Sequence, residues 1–176
     1  MNKPISAILL ASSYLAASPC TINPGIVECK DGNMDGLTAS GVAKMTSTNF
    51  VNQVEIFGDL NANSCKFTGL QVHGNTNIDA STIKQRIELY GMLNMHNCNA
   101  TDTMKLYSDN AEIYNSNLKE ILMYGNNTPC IILENSTVHG DITFHGSNGK
   151  VKCLGQCNIE GKIINGTLVK TGEENA

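Results

Sequence analysis

Three groups of residues in this chain have types and spacings that could support chemistry. The stretch DGNMDG, residues 31–36, spells D-x-N-x-D-G and places Asp31, Asn33 and Asp35 at the first, third and fifth positions of a calcium-binding loop. The pattern then stops. The twelfth position, which should be a bidentate Glu, is Val42, and the ninth is Ala39. Asp and Asn side chains also bond to their own turn backbone, so the stretch reads first as a turn. A calcium ion held there would bind loosely and would stabilise the N-terminal cap.

The second group is VHGDITFHG, where His139 and His145 flank Asp141. A Ser/His/Asp hydrolase also needs a nucleophile on a G-x-S-x-G elbow, and none occurs. The third is the pair Glu55 and Glu88, since two carboxylates can hydrolyse a glycosidic bond. Nothing around either one would raise its pKa. No phosphate-binding loop or dinucleotide fingerprint is present. The expectation is a protein without catalytic residues or cofactors, calcium at Asp31, Asn33 and Asp35 being the single candidate ion.

Composition narrows the partners. The net charge is −4 and only 16% of residues are charged, which supplies no basic patch for nucleic acid. Arg86 is the only arginine, so a multi-arginine anion clamp is excluded. The N-terminus, MNKPISAILLASSYLAASPC, has a lysine, a short apolar run and small residues, as in a secretory signal ending near Ala17. That run is too short to span a bilayer. All seven cysteines follow it, as in a protein exported to an oxidising periplasmic, surface or extracellular setting. Cys20 with Cys29, and Cys153 with Cys157, are the candidate disulfides.

The elements that must carry these residues repeat. Five pentads stand out: VEIFG (54–58), LQVHG (70–74), IELYG (87–91), MKLYS (104–108) and ILMYG (121–125). Their starts lie 16, 17, 17 and 17 residues apart, and ITFHG (142–146) follows after 21. Each is apolar at its first and third positions, the alternation of a strand, and most end in the glycine that a positive-φ turn favours. A second element recurs between them, as in LNANSC (60–65), TNIDAS (76–81) and LNMHNC (93–98).

A period near seventeen with short strands predicts an all-β, single-stranded β-solenoid of seven or eight coils over residues 37–169. Residues 18–36 would form an N-terminal cap and 170–176 a polar tail. LTASGV (37–42) aligns with LNANSC on this reading, setting Gly36 near the Gly58 turn.

Stacking the pentads places their fourth residues in one outward column: Phe57, His73, Tyr90, Tyr107, Tyr124 and His145. Glu55, Gln71, Glu88, Lys105 and Leu122 run beside it. The rings either stack on each other as structure or form a face for a glycan, a protein or a second copy of the chain. Cys65, Ser81, Cys98 and Asn115 share an offset, which puts Cys65 and Cys98 about 9.6 Å apart, beyond disulfide reach. Asparagines at 61, 63, 97, 99, 115, 117 and 135 suit turns and amide ladders. Asn99, Asn126, Asn135 and Asn165 also open glycosylation sequons.

The glycine-ended pentads and short bounded strands resemble secreted bacterial β-helix repeat proteins and, more loosely, the polymer-forming bactofilins. That resemblance implies a non-catalytic scaffold or assembly module. A glycan-binding protein, or a weak polysaccharide-active enzyme, using the aromatic column is the alternative.

Overall fold

The computed structural model describes residues 19–170. The signal segment expected at 1–17 and the tail after Lys170 lie outside the described residues. The described chain is nineteen strands without a helix. It winds as a parallel β-solenoid of about nine turns with coils near seventeen residues.

Each coil has three sides. Face A carries the pentads, from Leu37–Ser40 through the ends of Val42–Phe57, Lys66–Val72, Thr82–Tyr90, Asn99–Tyr107 and Asn117–Tyr124, to Ile142–His145 and Ile163–Ile164. Face B stacks the start of Ile26–Met34 and of Val42–Phe57 on Leu60–Asn63, Thr76–Asp79, Leu93–His96, Asn110–Tyr114, Cys130–Glu134, Gly149–Leu154 and Gly166–Lys170. Face C runs from Asn33 and Met34 through Phe50, Phe67, Ile83, Ala100 and Leu118 to Val138 and Ile159.

Alternation sets the core. The first and third pentad residues, from Val54 and Ile56 to Ile121 and Met123, are no more than 1% exposed. Full burial of such a side chain contributes about 1.5–3 kcal/mol, and stacking makes the contribution continuous along the rod. Inside face C, Phe50 and Phe67 stack at 5.4 Å. Thr76 sits inward between Leu60 and Leu93, and its hydroxyl has no partner.

The corners explain the glycines and asparagines. At the A–B corner, a Cβ on Gly58 would lie 2.0 Å from the Gly41 carbonyl oxygen, and one on Gly41 would lie 2.2 Å from that of Gly25. Close stacking, as much as positive φ, therefore requires the fifth-position glycine. At the B–C corner one residue per coil is left-handed: Asp31, Ser47, Ser64, Ala80, Asn97, Asn115 and Asn135 in turn. The residue after it points inward and bonds its own strand. Ser81, Ser116 and Ser136 donate to the carbonyls of Asp79, Tyr114 and Glu134, and Cys65 and Cys98 stand in the same column.

Four expectations need correction. Ser116, not Asn115, continues the column of Cys65 and Cys98, because Ser108–Asn110 adds one residue at the A–B corner. LTASG is a first pentad, pairing with VEIFG from Leu37 on Val54, so Gly41 rather than Gly36 meets Gly58. Asn61, Asn63, Asn99 and Asn117 lie in strands, while Asn97, Asn115 and Asn135 occupy the corner. Parallel stacking starts at Ile26, inside the segment 18–36, which accounts for the additional coil; only Cys20–Asn23 is antiparallel.

Coil-length changes are absorbed at corners. Arg86 is the extra residue after a 16-residue step, with φ 33°. The gap of 21 comes mainly from Asn126–Pro129, which Asp109 clamps through the amides of Asn126 and Asn127. The Asn127 side-chain hydrogen bond, then the backbone ones, hold the Asp109 carboxyl below its usual range.

Candidate interaction surfaces

All six residues of the expected column line up. Phe57, His73, Tyr90, Tyr107, Tyr124 and His145 stack at successive centroid distances of 4.8, 4.6, 4.4, 4.8 and 4.6 Å, with planes within 12° of parallel. The rung spacing of a sheet is the natural distance for face-to-face rings, so the backbone itself positions the stack. Each inner ring has both faces covered by its neighbours. Only ring edges and hydroxyls remain for an outside partner, which leaves no inner ring on which a sugar could lie flat.

The neighbouring column is tied by charge. Glu88 accepts a hydrogen bond from Lys105 at 3.3 Å and lies 3.6 Å from Arg86. The bond to Glu88, then its charge, raises the Lys105 pKa. Partial burial, with the Tyr107 and Glu88 charges behind it, raises that of Tyr90. His73 lies 2.9 Å from the Gln71 amide nitrogen and 3.7 Å from Glu55. Gln71 separates Glu55 from Glu88 in register, so these carboxylates stand two rungs apart.

The other chemical groups are dispersed. His145 ends the ring column, His139 bonds Glu160 at 3.0 Å, and Asp141 accepts the Lys162 amide. Asp31 stands at the left-handed B–C corner, Asn33 lies on face C and Asp35 follows the strand end. Asp31 and Asn33 fall within Ile26–Met34, and Asn33 and Asp35 accept bonds from Asn49 and Asn52 of the next coil. Cys20 bonds Cys29 and Cys153 bonds Cys157, the two candidate pairs, while Cys65, Cys98 and Cys130 are free thiols. Two disulfides suit an oxidising compartment. No helix among the described residues is long and apolar enough to cross a membrane.

Face B carries an amide ladder of the kind expected at Asn61, beside a groove that the repeat pattern did not single out. Asn61, Asn77 and Asn94 form an amide ladder, with bonds of 3.1 and 3.0 Å. Beside it, Asp79 accepts the amides of Asn63 and Asn97, and His96 stacks on Tyr114 at 4.5 Å. These short side chains floor a groove of about 730 Å³. The signal was present in TNIDAS and LNMHNC, but a mixed polar column has no single residue type to mark it.

The rod's ends differ. At the first rung, the inward residues Val27 and Cys29 are buried under the antiparallel strand Cys20–Asn23. At the last, Ile159, Ile163 and Leu168 take the inward positions of Val138, Ile142 and Val151, yet Leu168 is 42% exposed and the other two are half-buried. Nothing among the described residues covers them.

No family model, no curated protein and no solved structure matches the chain. The functional reading therefore rests on these surfaces alone.

Proposed function

We propose that the protein is an exported, non-catalytic rod that acts as a scaffold or assembly module, joining a second copy of itself through its C-terminal end. The supporting observation is the open last rung. Ile159, Ile163 and Leu168 present core side chains, and the strands that carry them pair on one side only among the described residues, an edge that is a template for another chain. Lys170 enters the inward register beneath Cys153 and keeps a partner off that corner, leaving the apolar contact to the other sides. The paired cysteines support export. The aromatic column, with its faces closed, serves as a structural spine.

The test is solution mass by sedimentation equilibrium over a wide concentration range. Mass should rise with concentration, and Leu168→Asp should abolish the rise without lowering the melting temperature. A strict monomer at every concentration would refute assembly through this end.

A further inference from the structure

We propose that the groove on face B binds a neutral oligosaccharide. The claim is independent of the end-to-end reading and rests on three observations.

The first is shape. Successive rungs on this face carry outward Asn61 and Asn63, then Asn77 and Asp79, between the longer Lys44 before them and Glu112 and Tyr114 after them. Short side chains between long ones leave a trough of about 730 Å³, a size that suits a small ligand.

The second is hydrogen-bonding capacity. The ladder uses one N–H and one carbonyl lone pair of Asn77, whereas a primary amide has two donors and two acceptor sites. Amides on this open face therefore keep donors and acceptors for hydroxyl groups, which need both. The floor's charged groups are already hydrogen-bonded or paired, and the two carboxylates leave it negative. Asp79 takes two asparagine amides, Glu112 takes the Tyr114 hydroxyl at 3.0 Å, and Lys44 lies 3.4 Å from Glu28. An anionic ligand finds no free cation there and meets the Asp79 and Glu112 carboxylates, whereas a neutral hydroxylated one needs no counter-charge.

The third is an aromatic pair at the groove wall. The face-A column covers each inner ring on both sides. The face-B column has two rings, and the residue on the other side of His96 is Asp79, which is not a ring. The exposed His96 imidazole and the Tyr114 ring line the groove beside the amide floor. A flat apolar patch beside paired donors and acceptors is what a sugar ring, with its C–H face and equatorial hydroxyls, requires.

The test applies the whole protein to an array of neutral and acidic oligosaccharides, then titrates the best-retained neutral one by calorimetry. Retention of neutral chains is expected. His96→Leu, which keeps bulk but removes the ring, should weaken binding about tenfold or more, with the melting temperature lowered no further than in Tyr114→Ser, which breaks the same ring contact. Amide shifts on the unmodified protein should centre on Asn77, Asn94 and Tyr114, so the claim does not depend on a variant folding. Failure to retain any neutral oligosaccharide overturns the proposal. So does retention that His96→Leu leaves intact, or that is lost instead in Tyr90→Ser on face A.

Discussion

Faces A and B use one device to different extents. Both stand on the same core, and both stack rings at rung spacing. On face A the column runs unbroken from Phe57 to His145. On face B it holds only His96 and Tyr114, bounded in register by Asp79 and Glu134, with an amide ladder in the column beside it. An unbroken stack covers its own ring faces and becomes structure. A broken one leaves a hollow. In a solenoid, the place where a column changes character is where an outside molecule finds room.

The largest expected effect tests the shared core. Leu106→Ala beneath face A and Ile113→Ala beneath face B should each cost about 2–5 kcal/mol, measured by denaturant unfolding. A marked inequality would mean that the two faces are not carried by one common interior.

Next is the thiol at the edge of face B. Burial pushes Cys98 from 9.0 up to about 11. The folded state disfavours the thiolate, so stability is fully present below pH about 9 and falls as pH rises toward about 11. At about 1.36 kcal/mol per unit, the loss is on the order of 2–3 kcal/mol. Cys98→Ser, matching Ser81 and Ser116 in the same column, should remove most of this fall. An unchanged stability–pH profile would contradict it.

The columns themselves should differ by a factor of two. Tyr107→Ser breaks two ring contacts and Tyr114→Ser breaks one. At about 0.5–1.5 kcal/mol per pair, the losses are about 1–3 and 0.5–1.5 kcal/mol. Equal melting shifts would show that the long column has no stabilising role beyond the short one.

The smallest change is a gain. Thr76→Val removes the unpartnered buried hydroxyl beneath face B and should raise stability by about 1 kcal/mol. A loss would place a bound water or an unseen partner on that oxygen.

The pentads alone made face A legible. Two apolar residues, a spacing near seventeen and a ring at the fourth place determine strand, facing and stack, because rungs repeat at one distance. Cys20–Cys29 and Cys153–Cys157 were legible for a similar reason: few residues separate the partners, so local chain geometry nearly decides the pairing. The column of Cys65 was misread by one residue at Asn115. A corner insertion shifts register without changing composition, and only pairing in space shows which corner absorbed it.

What the sequence determined by itself is the periodic part: an all-β solenoid, its interior and the line of rings. Side chains repeated at a constant interval must superpose whatever the rest of the chain does. What the tertiary structure alone decided is everything aperiodic: the groove floored by Asn77 and Asp79, the exposed His96 beside it, and the unequal ends at Val27 and Leu168. Each depends on the size of a neighbour one rung away, and that neighbour lies sixteen to twenty-one positions distant along the chain.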